Sequence, residues 1–128
     1  HNQLELFSLF HCRIQSPDFN VHSDIYDRRL FIKSILCLCS QWPYFSSEEL
    51  MLKSLKKLNS LIFNDSKNFE ELDYIPSYHI YYTTLIVKPW IELFDQFSPL
   101  TELLNNVNNT LQYWKQVEEE ADGIEVDY

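Results

Sequence analysis

Residues 29–40 read RLFIKSILCLCS, and the fold turns on whether this run is a strand or a helix. It is apolar almost throughout, short enough for a strand, and lacks the one-sided patterning of a surface helix. It therefore reads as a central strand buried on both faces. Gln41-Trp42-Pro43-Tyr44 follows, and Pro43 has no N–H to offer a ladder, so the chain turns there.

Upstream, residues 4–14 (LELFSLFHCRI) alternate, with Leu4, Leu6, Phe10, Cys12 and Ile14 on one side and Glu5, His11 and Arg13 on the other. That is the period of a strand, and Phe7 and Leu9 make its second side partly apolar. Gln15 to Asp27 (QSPDFNVHSDIYD) has neither period and reads as a loop. Downstream, Ser46 is placed to cap a helix, with Glu49 three residues on to complete a capping box and Phe45 and Leu50 as a hydrophobic staple. Met51, Leu55, Leu58 and Ile62 form its apolar stripe, edged by Leu52 and Leu61. Lys53, Lys56, Lys57 and Ser60 lie opposite, and Asn64-Asp65-Ser66 ends the helix.

Residues 74–90 (YIPSYHIYYTTLIVKPW), bounded by Pro76 and Pro89, have a strand-like composition. A helix with Tyr78, Tyr81, Tyr82, Leu85 and Ile86 inward fits them as well. Ile91–Phe97 and Leu100–Val117 read as two helices, with Ser98 capping and Pro99 at the first helical position of the second. Leu100, Leu103, Leu104, Val107, Leu111, Trp114 and Val117 form its stripe. Residues 118–128 (EEEADGIEVDY) carry only acidic charge and read as a solvated tail.

The 128 residues hold one glycine, Gly123, so no glycine-rich loop brings backbone amides up to a phosphate. A net charge of −9 argues against a general nucleic-acid binder. Cys12, Cys37 and Cys39 are an odd number and read as reduced thiols, with Cys37 and Cys39 facing the same way from a buried strand. His1, His11, His22 and His79 are scattered, which argues against a metal site. No nucleophile, general-acid pair or cofactor motif is legible, so the expectation is a binding module and not an enzyme, with no cofactor. Lys53, Lys56 and Lys57 are either a solvated face or the partner-binding residues, docking an acidic surface. No apolar run approaches a membrane span and no leader opens the chain, so a cytoplasmic protein is expected, with peripheral association at membranes. A chain that begins at His1 in place of Met is read as a fragment or a processed product.

The stretch from Leu4 to Ile62 resembles the N-terminal, longin-like (u-DENN) part of the DENN-domain family. It is carried by LFSLFHCRI, then SILCLCSQWPYF leading into SSEELMLKSLKKLNSLIF, with Ser40, Pro43, Tyr44 and Phe45 matching the family's strand–Pro–aromatic–helix unit. WIELFDQFSPLTELLNNVNNTLQYWKQV is similar to the first helix of the central DENN segment, through Leu93, Phe94, Leu111 and Trp114. The resemblance implies an α/β (α+β) fold, a longin-like antiparallel sheet packed against amphipathic helices. It also implies an incomplete module over residues 1–117, followed by an acidic tail over 118–128. The implied function is binding of a small GTPase of the Rab or Arf class in vesicle trafficking, with guanine-nucleotide exchange only in a complete DENN domain. The family's opening strand is missing, which would leave an unpaired edge for a partner or a second copy. Two alternatives stand beside this. One is a scaffold or heterodimerisation lobe of a folliculin-like nutrient-signalling complex. The other is an unrelated helical interaction domain in which residues 29–40 and 74–88 are buried helices.

Overall fold

A computed structural model of the chain describes residues 2–62 and 75–126, with side chains described over 2–57 and 76–121. Every regular element among them is helical, so the longin-like α/β expectation is overturned. With no strand among the described residues there is no sheet, and no strand edge for a partner or second copy to pair with. The chain divides into two compact units, His1–Trp42 and Pro43–Tyr128.

In the first unit, α1 (Gln3–Ile14) takes the place of the strand expected over 4–14. Asn2 caps it, its Oδ1 accepting from Glu5 N at 2.8 Å. The apolar residues fit both periods, but the buried ones, Leu6 and Phe10, are four apart. Phe7 and His11, also four apart, stack with ring centroids 5.9 Å from each other, a contact that only the helical spacing permits.

The run that reads as a doubly buried strand is α2 (Ile25–Cys39). Asp24 caps it, its Oδ1 accepting from Tyr26 N at 2.8 Å and Asp27 N at 3.1 Å. The loop therefore stops at Asp24, three residues short of its expected end. Asp27, Ser34 and Leu38 are buried along one side of the helix, with Leu30, Phe31 and Ile35 half-buried beside them. Phe10 is fully buried, its ring 6.2 Å from Phe19 and 6.1 Å from Phe31, which fixes α1 against α2. Cys37 and Cys39 do not face the same way: Cys37 is half-buried and Cys39 exposed, as residues two apart on a helix must be.

Arg13 and Asp27 add a polar tie. Arg13 donates from Nε to Asp27 Oδ1 at 2.6 Å and from Nη2 to Oδ2 at 3.0 Å, and Asn20 N donates to the same Oδ2 at 2.9 Å. The Arg13 hydrogen bond holds the Asp27 carboxyl below the usual carboxylate range. One carboxylate thus joins the end of α1, the loop and the start of α2.

In the second unit, a 3₁₀ turn begins at the boundary (Trp42–Phe45) and leads into α3 (Glu48–Ile62). This helix is where the sequence places it, shifted by one residue at its start. Ser47 Oγ accepts from Leu50 N at 3.4 Å, while Ser46 Oγ donates to the Pro43 carbonyl at 3.0 Å. Met51 and Leu55 are buried as the stripe requires. Leu58 and Ile62 lie outside the described side chains, and Asn64-Asp65-Ser66 lies outside the described residues.

The third expected strand is a continuous helical stretch: α4 (Ile75–Tyr82), one π turn (Thr83–Val87) and α5 (Lys88–Asp95). Its two prolines bound no strand. Pro76 sits in the first turn of α4, where a missing N–H costs nothing. The wider turn comes immediately before Pro89, with Lys88 N–H reaching back to the Thr83 carbonyl, so the proline ring is accommodated without ending the helix. The helical alternative holds for the backbone but not for most of its inward set, of which only Tyr82 and Ile86 are half-buried. His79, Thr83, Val87, Trp90, Ile91 and Phe94 are buried, while Tyr78, Tyr81 and Leu85 face solvent. Finally, α6 (Thr101–Val126) packs on α3, α4, the π turn and α5 and buries Val107, Thr110 and Trp114. It starts two residues after Pro99, and Asp95 Oδ1 accepts from Leu100 N at 2.6 Å, so Ser98 is not its cap. The stretch expected to be a tail continues this helix as far as Val126.

Candidate functional site

On α2 the direction opposite the buried side is set by Ile25, Arg29, Ile32 and Leu36, spaced four, three and four residues apart. Ile25 and Ile32 are each 50% exposed and Leu36 is 64% exposed. Single exposed apolar residues are ordinary, whereas three in line form a patch, as Tyr78, Tyr81 and Leu85 also do; the patch on α2 differs in being wholly aliphatic and flanked by basic residues. Tyr26, 77% exposed, flanks the stripe at its start.

Beyond Asp27 the charge along α2 has one sign. Arg28, Arg29 and Lys33 are exposed, and no acidic residue occurs between Arg28 and Ser47. Arg28 is held by the loop, donating to the carbonyls of Val21 at 3.0 Å and His22 at 2.7 Å. Arg29 and Lys33 make no ion pair with any described residue. They stand at the lip of a groove of about 660 Å³ between α1 and α2, lined also by Leu9, Arg13, Tyr26 and Asp27. The acids in that groove are already engaged. Asp27 is chelated by Arg13, and Asp24 caps α2 with Arg13 Nη2 at 3.9 Å.

Among the described residues of the second unit, Tyr44 and His79 form an enclosed polar pair. Tyr44 OH and His79 Nδ1 are 2.9 Å apart, and the imidazole stacks on Trp114 with centroids separated by 4.2 Å. Burial lowers His79 to about 4 and raises the Tyr44 phenol. At neutral pH the pair is uncharged, and it acts as a core hydrogen bond tying the 3₁₀ turn to α4. Thr83 Oγ1 and Trp114 Nε1 are buried without a hydrogen-bond partner in the same unit.

Lys53, Lys56 and Lys57 lie exposed along α3, away from the buried Met51 and Leu55. Lys53 is paired with Glu49 at 3.1 Å on the same face, which carries both signs of charge. The residues that reading the sequence missed are Ile25, Arg29, Ile32, Lys33 and Leu36. A helical projection from the Asp24 cap would have found them, because the core side and the stripe then separate cleanly.

No family model, no curated protein and no solved structure matches this chain. No helix among the described residues is long and apolar enough to cross a membrane.

Proposed function

We propose that this chain is a helical protein-interaction module that docks a partner through the outer face of α2. The observation that carries this reading is the solvent-facing stripe of Ile25, Ile32 and Leu36 on a helix whose opposite side is already packed. Removing such a stripe from water contributes about 25 cal/mol per Å² of apolar surface, a gain a partner realises by covering it. Anchors at this spacing are how an amphipathic helix enters a hydrophobic groove or pairs with another helix. The Rab- or Arf-class GTPase reading and the folliculin-like scaffold reading rest on the resemblance alone. The segments that carry it form helices here, so the described residues favour neither over another protein partner.

The test places a photo-cross-linking amino acid at Leu36, and at Lys53 as a control, in extracts of the native source. The reading expects one discrete adduct from position 36, identified by mass spectrometry and lost in the Ile25→Asp variant. Equal adducts from both positions, or an adduct unaffected by Ile25→Asp, would overturn it. Identification of a small GTPase in that adduct would restore the first expectation.

A further inference from the structure

We infer that the partner of the α2 face is an acidic amphipathic helix, whose apolar seam covers Ile32 and Leu36 and whose carboxylates reach Arg29 and Lys33. This rests on the reading of α2 as a docking surface and adds the chemistry of what docks there.

Arg29 lies within the stripe and Lys33 beside it, four residues apart, and neither is neutralised by any described residue. Covering them with an uncharged apolar partner would strip water from two cations with nothing to compensate. A second copy presenting the same face would bring two sets of Arg28, Arg29 and Lys33 into one interface with no acid of that face between them, and like charges oppose that contact. An anionic membrane would meet only three basic residues on this face, Arg28, Arg29 and Lys33, below the cluster size that holds a protein at a charged surface.

The form of the occupant follows from the groove. The stripe follows α2 in steps of three and four residues, and the groove of about 660 Å³ is lined by Tyr26, Arg29 and Lys33 of α2 and by Leu9 and Arg13 of α1. A second helix laid along α2 places apolar residues over Ile25, Ile32 and Leu36. Its acidic residues, a turn apart on one flank, then meet Arg29 and Lys33 with the same four-residue spacing. The groove keeps a positive balance, with Arg13, Arg29 and Lys33 against Asp24 and Asp27, and Arg13 takes up Asp27.

The experiment uses two labelled synthetic peptides of the same amphipathic helical pattern, one with Glu and one with Lys flanking a Leu seam. Fluorescence anisotropy with the whole chain measures binding, and vesicles of phosphatidylserine and phosphatidylcholine serve as a third probe. The inference expects the Glu peptide to bind at least about tenfold more tightly than the Lys peptide. High salt should weaken binding, and the Arg29→Glu/Lys33→Glu variant should reverse the preference. That reversal is a gain of binding, so a misfolded variant cannot imitate it. If both peptides bind equally and Ile32→Asp abolishes both, the acidic partner is wrong while the docking reading stands. If neither peptide binds while cross-linking at Leu36 traps a protein, the inference fails and the reading again survives. Vesicle binding lost in Ile32→Asp, with no peptide binding, would overturn the inference and replace the protein partner with a lipid surface.

Discussion

Helices α2 and α3 are both fifteen residues long, yet only α3 is legible as a helix from its sequence. On α3 a buried apolar stripe with Met51 and Leu55 lies opposite a face bearing Lys53, Lys56 and Lys57. The period of 3.6 is written in the contrast between the two faces. On α2 the outer face is itself apolar, with Ile25, Ile32 and Leu36, while the core side carries Asp27 and Ser34. The contrast cancels, and the run reads as continuously hydrophobic. The feature that hid the helix is the feature with a function to explain, since folding alone supplies no reason for three of its roughly four turns to present Ile or Leu to water.

The largest expected effect separates the two helices by stability. Met51→Ala on α3 opens a cavity in a fully buried site and should cost about 2–5 kcal/mol. Ile32→Ala on α2 should stay within about 0.5 kcal/mol. Chemical denaturation measures both, and a large loss from Ile32→Ala would mean the stripe is part of a core.

Acid should then distinguish the units these helices belong to. His79, in the unit of α3, is held at about 4 against an ordinary 6.5, so the unfolded chain takes up its proton first. Its contribution is complete above the ordinary value and is lost as pH falls from there through about 4. Asp27, beside α2, has its carboxyl lowered by Arg13, so its contribution is lost only as pH falls below 3.8 and through its folded value. Hydrogen exchange stepped down in pH should show α3 and α4 loosening before α1 and α2, with His79→Gln removing the difference.

A smaller effect concerns the core side of α2. Ser34 Oγ is fully buried without a hydrogen-bond partner, so Ser34→Ala should stabilise by about 1 kcal/mol, through relief of the unmet hydroxyl and better helix propensity. The smallest lies on the charged face of α3. Lys53→Ala removes an exposed pair with Glu49 and should cost about 0.3 kcal/mol by denaturation.

How much the sequence revealed follows the same line. The α3 helix, the turn at Pro43 and the α6 stripe were legible because polar and apolar residues segregate there. Leu6 and Phe10 were misread because LELFSLFHCRI satisfies both periods, and only the Asn2 cap and the stacked Phe7–His11 pair decide between them. The stretch from Ile75 to Asp95 was misread because two prolines look like boundaries, and the inward position of His79 and Thr83 runs against residue polarity. The polar pair Tyr44–His79 is thirty-five residues apart in sequence, and no local pattern announces it. Of the proposed site only the shortage of acids after Arg28 was open to inspection. Its meaning depends on α2 being a helix.

The most direct test of the account is a cysteine scan along α2, with Cys12, Cys37 and Cys39 replaced and maleimide reactivity measured at positions 25 to 38. The account predicts fast labelling at 25, 29, 32 and 36 and protection at 27, 34 and 38, with labelling at 32 and 36 slowed when the Glu-flanked peptide is bound. Labelling that alternates with every second residue, or that stays unchanged at 32 and 36 with the peptide bound, would contradict it.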